Sequence, residues 1–123
     1  MDIIVTKNET LKEISQAFNT KFPYLKLEFY CHTHKAGEGS PKEDRLSPKL
    51  TINEAGTFDH DEHFSINGHL QVRTFENTFQ EHFGVGVQVM RKSGTLWLQC
   101  TATDDWTLTK ENRVGEEDSV ASS

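Results

Sequence analysis

The chain has 123 residues and a formal net charge of −6 at pH 7, the length of one ordinary domain. That acidity excludes a general binder of nucleic acid or anionic membrane, because both draw affinity from basic surface and counterion release. Apolar residues make up only 34%, so a core must come from a few large side chains, chiefly the 8 phenylalanines.

Ile3–Thr6 reads as a first strand, and Met1-Asp2-Ile3-Ile4-Val5-Thr6 is expected to be too short and too acidic for a secretory leader. Thr10-Leu11-Lys12-Glu13 has the form of a capping box, in which the Thr hydroxyl and the Glu carboxylate satisfy free amides at a helix start. Leu11, Ile14, Phe18 and Phe22 then share one helical face, and Pro23 ends the helix. Leu25–Cys31 alternates as a strand, with Leu25, Leu27 and Phe29 on one face and Lys26, Glu28 and Tyr30 on the other. From 33 to 63 the periodicity breaks into an irregular excursion, with short helical turns signalled at Ser40-Pro41-Lys42-Glu43 and Thr51-Ile52-Asn53-Glu54.

Order returns with Phe64–Ile66 and His69–Val72. Asn67-Gly68 between them predicts a tight hairpin, since both residues tolerate the positive φ of a type I′ turn. Thr74 is the expected cap of a second amphipathic helix and Gly84 its end. Val85–Arg91 and Thr95–Thr101 pair as a hairpin around Lys92-Ser93-Gly94. A short helix from Asp105 to Arg113, stopped by Gly115, completes a single domain over 1–115, and 116–123 is an acidic tail expected to be disordered.

The two halves repeat. Ile14, Phe18 and Phe22 step by four, as do Phe75, Phe79 and Phe83 sixty-one positions later, and each helix runs into an alternating strand. The fold expected is α+β: a ferredoxin-like or related plait, with a mixed or antiparallel sheet of about five strands and two main helices on one face. Phe18, Phe22, Phe79, Phe83, Leu27, Val87 and Leu98 should form its core.

Candidate chemistry is sparse. Of 6 histidines, His32, His34, His60, His63 and His69 crowd into 32–69. His32 and His34 at strand spacing share a face, and with His60 and His63 they make the alternative reading of a zinc-type metal site, structural or hydrolytic. Gly37-Glu38-Gly39 lacks the lysine of a phosphate-binding loop and is read as a flexible connection. No nucleophile signature is present and no paired carboxylates beyond Asp104-Asp105, which are read as capping the last helix, and no cofactor is implied. Tyr30, Arg91, Lys92 and Trp97 fall on the strand face opposite the core or beside it, and are the expected binding residues. Cys31 and Cys100 are read as reduced thiols. With no run near the ~20 apolar residues of a membrane span, the leading expectation is a small cytoplasmic binding or regulatory module. Such a module would act through protein contacts of its sheet, with itself or with a partner, and without catalysis.

Overall fold

The computed structural model describes residues 2–56 and 62–121. His60 lies outside the described residues, as does the side chain of His63. In chain order the elements are β1 (Asp2–Val5), α1 (Leu11–Lys21), β2 (Leu25–Tyr30), a 3-10 turn (Lys42–Asp44), α2 (Ile52–Ala55), β3 (Glu62–Ser65), α3 (Val72–Phe83), β4 (Gly86–Ser93), β5 (Leu96–Gln99) and α4 (Leu108–Ala121). The protein is α+β, and no helix among the described residues is long and apolar enough to cross a membrane.

Instead of the single five-stranded plait expected, the described strands form two ladders. β1 pairs antiparallel with β3, and β2-β4-β5 form a three-stranded antiparallel sheet. Thr10 and Glu13 close the predicted capping box on α1, and Thr51 and Glu54 close another on α2. Gly84 ends α3 at φ 67°, a left-handed conformation that costs glycine little.

One aromatic core fills the space under both ladders. Phe18 stacks on Phe22 and Phe75, and Phe64 meets Phe75, Phe79 and Phe83, with ring centroids 5.2–5.9 Å apart. Leu25, Leu27, Phe29, Val87 and Val89 close it from the sheet. Burial of rings this large supplies most of the apolar gain available to so polar a chain.

The internal repeat extends beyond the hydrophobic pattern. Leu11 N donates to Leu50 O and Ile52 N to Glu9 O, tying the start of α1 to the start of α2. In the second half Val72 N donates to Trp106 O and Leu108 N to Leu70 O, tying α3 to α4 in the same way. Lys12 N to Pro48 O is matched by Arg73 N to Asp104 O, and Asn53 N to Lys7 O by Thr109 N to Gly68 O. All eight bonds lie between 2.8 and 3.2 Å. Each half is therefore one unit: strand, helix, strand, return segment, second helix.

This pairing explains three departures from expectation. Asn67-Gly68 does not make a hairpin: Asn67 Oδ1 accepts from His69 N and Asn67 O from Leu70 N, and the segment leads directly into α3. Its backbone is already engaged by the start of α4, as 6–10 is by α2. Consequently α3 begins at Val72 after Gln71, not after Thr74, with its first amides satisfied by carbonyls rather than by a capping side chain. Gly115 does not stop α4, which runs on to Ala121 through residues expected to be disordered. It serves close approach instead: a Cβ there would lie 3.0 Å from Tyr24 Cβ and 3.1 Å from Arg91 Cγ.

Leu98 is the one expected core residue that is not buried. It shares a face with Arg91, but α4 lies over β4 and β2, so the outermost strand is left uncovered and Leu98 is 44% exposed. Phe79, by contrast, touches rings of Phe29, Phe64, Phe75 and Phe83. Phe79→Ala should lower the unfolding free energy by about 3–5 kcal/mol in urea denaturation, as large buried aromatics do; a loss under about 1 kcal/mol would contradict this packing.

Candidate functional site

The outer edges of β2 and β4 carry amides and carbonyls that no neighbouring strand takes along their whole length. On β2, Ser15 Oγ of α1 both accepts from Leu27 N at 3.2 Å and donates to Leu27 O at 3.0 Å, and Asn19 Nδ2 donates to Leu25 O at 2.7 Å. On β4 the same task falls to residues at the same register sixty-one positions later: Glu76 Oε2 accepts from Val89 N at 2.7 Å and Gln80 Oε1 from Val87 N at 3.2 Å. Helix side chains thus substitute for a missing strand, which keeps those edges from pairing elsewhere.

Beside β4, the space between α3 and the strand edge is filled by residues 33–37, crossing from the first half. Gln80 holds the main chain of His34 on both sides, accepting from its N at 3.2 Å and donating to its O at 3.0 Å. The ring of His34 is buried, with Nε2 2.7 Å from Val87 O and 3.5 Å from Glu76 Oε1, and Nδ1 2.9 Å from Lys35 O. Gly37 N then donates to Asp104 Oδ2 at 2.6 Å, while Asp104 Oδ1 accepts from Arg73 Nε and Nη2 at 3.1 and 2.7 Å. Past Gly37 the strap lies on the outer face of the sheet, where Gln88 Nε2 donates to Glu38 O and Ser40 Oγ, and Gln99 Nε2 to Ser40 O.

Three acids are buried under this arrangement. Burial pushes the Glu76 carboxyl up to about 8, helped by the charges of Asp104 and Glu111 and opposed by the Val89 amide. Glu111 pairs with Arg91 Nη1 at 2.9 Å and also accepts from Thr103 Oγ1. Burial first, then Glu111, holds Cys100 as a thiol by raising it far above the usual range.

The expected binding residues separate. Tyr30 is buried, its hydroxyl donating to Glu28 Oε2 and accepting from Gln99, and burial with the Glu28 charge pushes it up to about 12. Arg91 is held by Glu111 and lies over the Trp106 ring. Trp97 is half-buried on the outer face, with Lys26 Nζ 4.7 Å from its ring centroid, and the half-buried Lys92 is its cross-strand neighbour.

Nor do His32 and His34 share a face. The side chain of His32 is 79% exposed and that of His34 only 5%, because the chain turns after β2 and carries His34 under α3. His32 instead meets Cys31 and Asp44: Nδ1 lies 3.4 Å from Cys31 Sγ and 3.3 Å from Asp44 Oδ2. Both cysteines are free.

Sequence reasoning missed Glu76, Gln80, Gln88 and Glu111, all buried, and read Asp104 as a cap of the last helix, which begins only at Leu108, whereas Asp104 is buried against Arg73 and Gly37. Polar positions on an amphipathic helix look solvated; the available signal was the sixty-one-residue register that aligns Glu76 and Gln80 with Ser15 and Asn19. Comparison with protein-family models, curated proteins and solved structures finds no match to this chain.

Glu76 holds its proton more tightly folded than unfolded, so the native state carries the extra proton between the ordinary carboxyl value of 4.5 and about 8. Stability from this group is complete below that window and falls as pH rises through it. Glu76→Gln keeps an acceptor for Val89 N and removes the titration. Its unfolding free energy, measured in urea at about pH 5 and about pH 8, should decline less than the parent's; equal declines would assign the effect elsewhere.

Proposed function

We propose that this protein is a non-catalytic cytoplasmic binding module that acts through protein contact of its sheet, pairing β5 with β5 of a second copy. The observation that carries the reading is a contrast between edges. β2 and β4 are blunted by helix side chains, whereas among the described residues nothing bonds the outer backbone edge of β5. That strand also holds, among the described residues, the two exposed large apolar side chains, Leu96 at 64% and Leu98 at 44%. An uncovered apolar edge strand is a template for another strand. Identical antiparallel strands pair about a two-fold axis, so one surface supplies both sides of the contact. Lys92 and Trp97 flank it on the outer face, with the buried Tyr30 bonded to Gln99 beside them, while the half-buried Arg91 lies on the opposite face against Glu111.

Sedimentation equilibrium tests this. The parent should form a concentration-dependent dimer, and Leu98→Lys, which places a charge on the edge without disturbing the core, should shift it to monomer. A parent that stays monomeric at millimolar concentration, or a variant that dimerises as well, would overturn the reading.

A second reading, metal binding, is favoured by Cys31, His32 and Asp44, whose ligand atoms all lie within 4.8 Å of one another. Zinc–sulfur and zinc–nitrogen bonds of about 2.3 and 2.0 Å at tetrahedral angles separate ligand atoms by roughly 3.3–3.6 Å, and the two shorter separations here are 3.4 and 3.3 Å. Cys31 N donates to Asp44 O at 2.9 Å, bracing the segments. This set replaces the four-histidine one: His34 is engaged elsewhere. Three protein ligands leave a fourth position for water, the arrangement that hydrolysis requires. Equimolar zinc should slow alkylation of Cys31 by iodoacetamide at least tenfold, and His32→Ala should abolish the protection. An alkylation rate indifferent to zinc would end this reading.

A further inference from the structure

An open groove of about 340 Å³ runs along the outer edge of β2, between the Lys12, Ser15 and Gln16 side of α1, strand residues 26–29, and the return segment at Arg45, Leu46 and Pro48. The repeat supplies its counterpart. Between α3, the β4 edge and Asp104, the equivalent space is filled by the segment 33–37, gripped by Gln80 at His34 and by Asp104 at Gly37, with a turn at 35–38 between the two grips. The same frame is thus present twice, once with a peptide in it and once without.

From this we infer that the β2 groove is a binding site for a short acidic peptide of a partner protein, seated as 33–37 is seated in the other half. The acidity follows from one substitution between the copies. In the second half Arg73 is neutralised by Asp104, which also accepts the amide of Gly37. In the first half Lys12 stands where Arg73 stands, and Pro48 where Asp104 stands, as the matched backbone bonds Lys12 N to Pro48 O and Arg73 N to Asp104 O fix. The carboxylate that completes the set is missing from the frame, so the peptide must bring it.

Two further features agree. Lys12 and Gln16 have no side-chain partner among the described residues, leaving an ammonium for the carboxylate and a carboxamide for the peptide backbone; Asn19, which matches Gln80 in register, is taken up by Pro23 O and Leu25 O. Lys26 and Arg45 sit 3.5 and 3.6 Å from the single acid of the groove, Glu28, so its lining is cationic on a chain of net charge −6. A free acidic segment meets repulsion over most of this protein and attraction here. The site lies on β2, at the opposite edge of the sheet from β5, and stands or falls independently of dimerisation.

The probe is a capped pentapeptide alternating alanine with aspartate, titrated into the ¹⁵N-labelled full chain, with the alanine–lysine pentapeptide as control. Amide shifts should change along 12–16, 26–29 and 45–46 with the aspartate peptide alone, and should weaken with added salt. Lys12→Glu and Arg45→Glu, both exposed and away from the core, should each weaken binding at least tenfold, whereas Leu98→Lys should bind as the parent does. Equal response to both peptides, shifts confined to β5, or unaltered affinity in Lys12→Glu would overturn the proposal. So would loss of self-association in Lys12→Glu without any peptide binding, which would make a second copy the occupant.

Discussion

The constraint on which the rest of this structure depends is that a strand edge pressed against a helix cannot leave its amides bare. An unbonded buried amide costs more than a typical bond contributes, and two short ladders leave several such groups. The chain answers with side chains at fixed helical positions, Ser15 and Asn19 against β2, Glu76 and Gln80 against β4. Once those positions are taken by groups of defined length, the distance and tilt of each helix over its strand are set. The aromatic residues pack between them, with Phe18 on Phe75 and Phe29 on Phe79 joining the two halves.

The two solutions to that constraint differ in reach, and the difference generates the chemistry. Ser15 and Asn19 are short and bond the β2 edge directly, with no strap between helix and strand. Glu76 and Gln80 are longer, leave room beside the strand, and need the strap with His34 to exclude water. Bringing a carboxylate so deep raises its proton affinity. It also gathers Asp104 and Glu111 into the same region, where Arg73 and Arg91 neutralise them. A chain with many acids can therefore keep three of them inside only by spending two of its few arginines on them.

Much of this was legible in the residues. The i, i+4 phenylalanine series marked both main helices, and Thr10 with Glu13 marked the start of α1, because those signals act within one turn. Where long-range bonding decides, local signals failed. Asn67-Gly68 suits a hairpin as well as a turn ahead of a helix, and only the carbonyl of Trp106, thirty-four residues from the amide of Val72 that donates to it, decides between them. Alternation in Leu96–Gln99 identified a strand but not that α4 ends its cover at β4, so Leu98 was assigned to the core. The histidines were read by strand spacing, yet the chain bends after Tyr30 and sends His32 outward and His34 in. Buried acids were hidden among polar helix positions, although the repeat register pointed to Glu76.

The strap has a consequence for the order in which the molecule can be assembled. Residues 33–37 belong to the first half by sequence and to the second by contact. A chain made from its amino end produces the strap before the helix and strand that receive it exist. His34 waits with its partners, Gln80 and Val87, still some fifty residues away, and Phe18 and Phe29 wait likewise for Phe75 and Phe79. Loop closure over that span is slow relative to helix formation, so the strap is seated only once α3 and β4 are there to receive it.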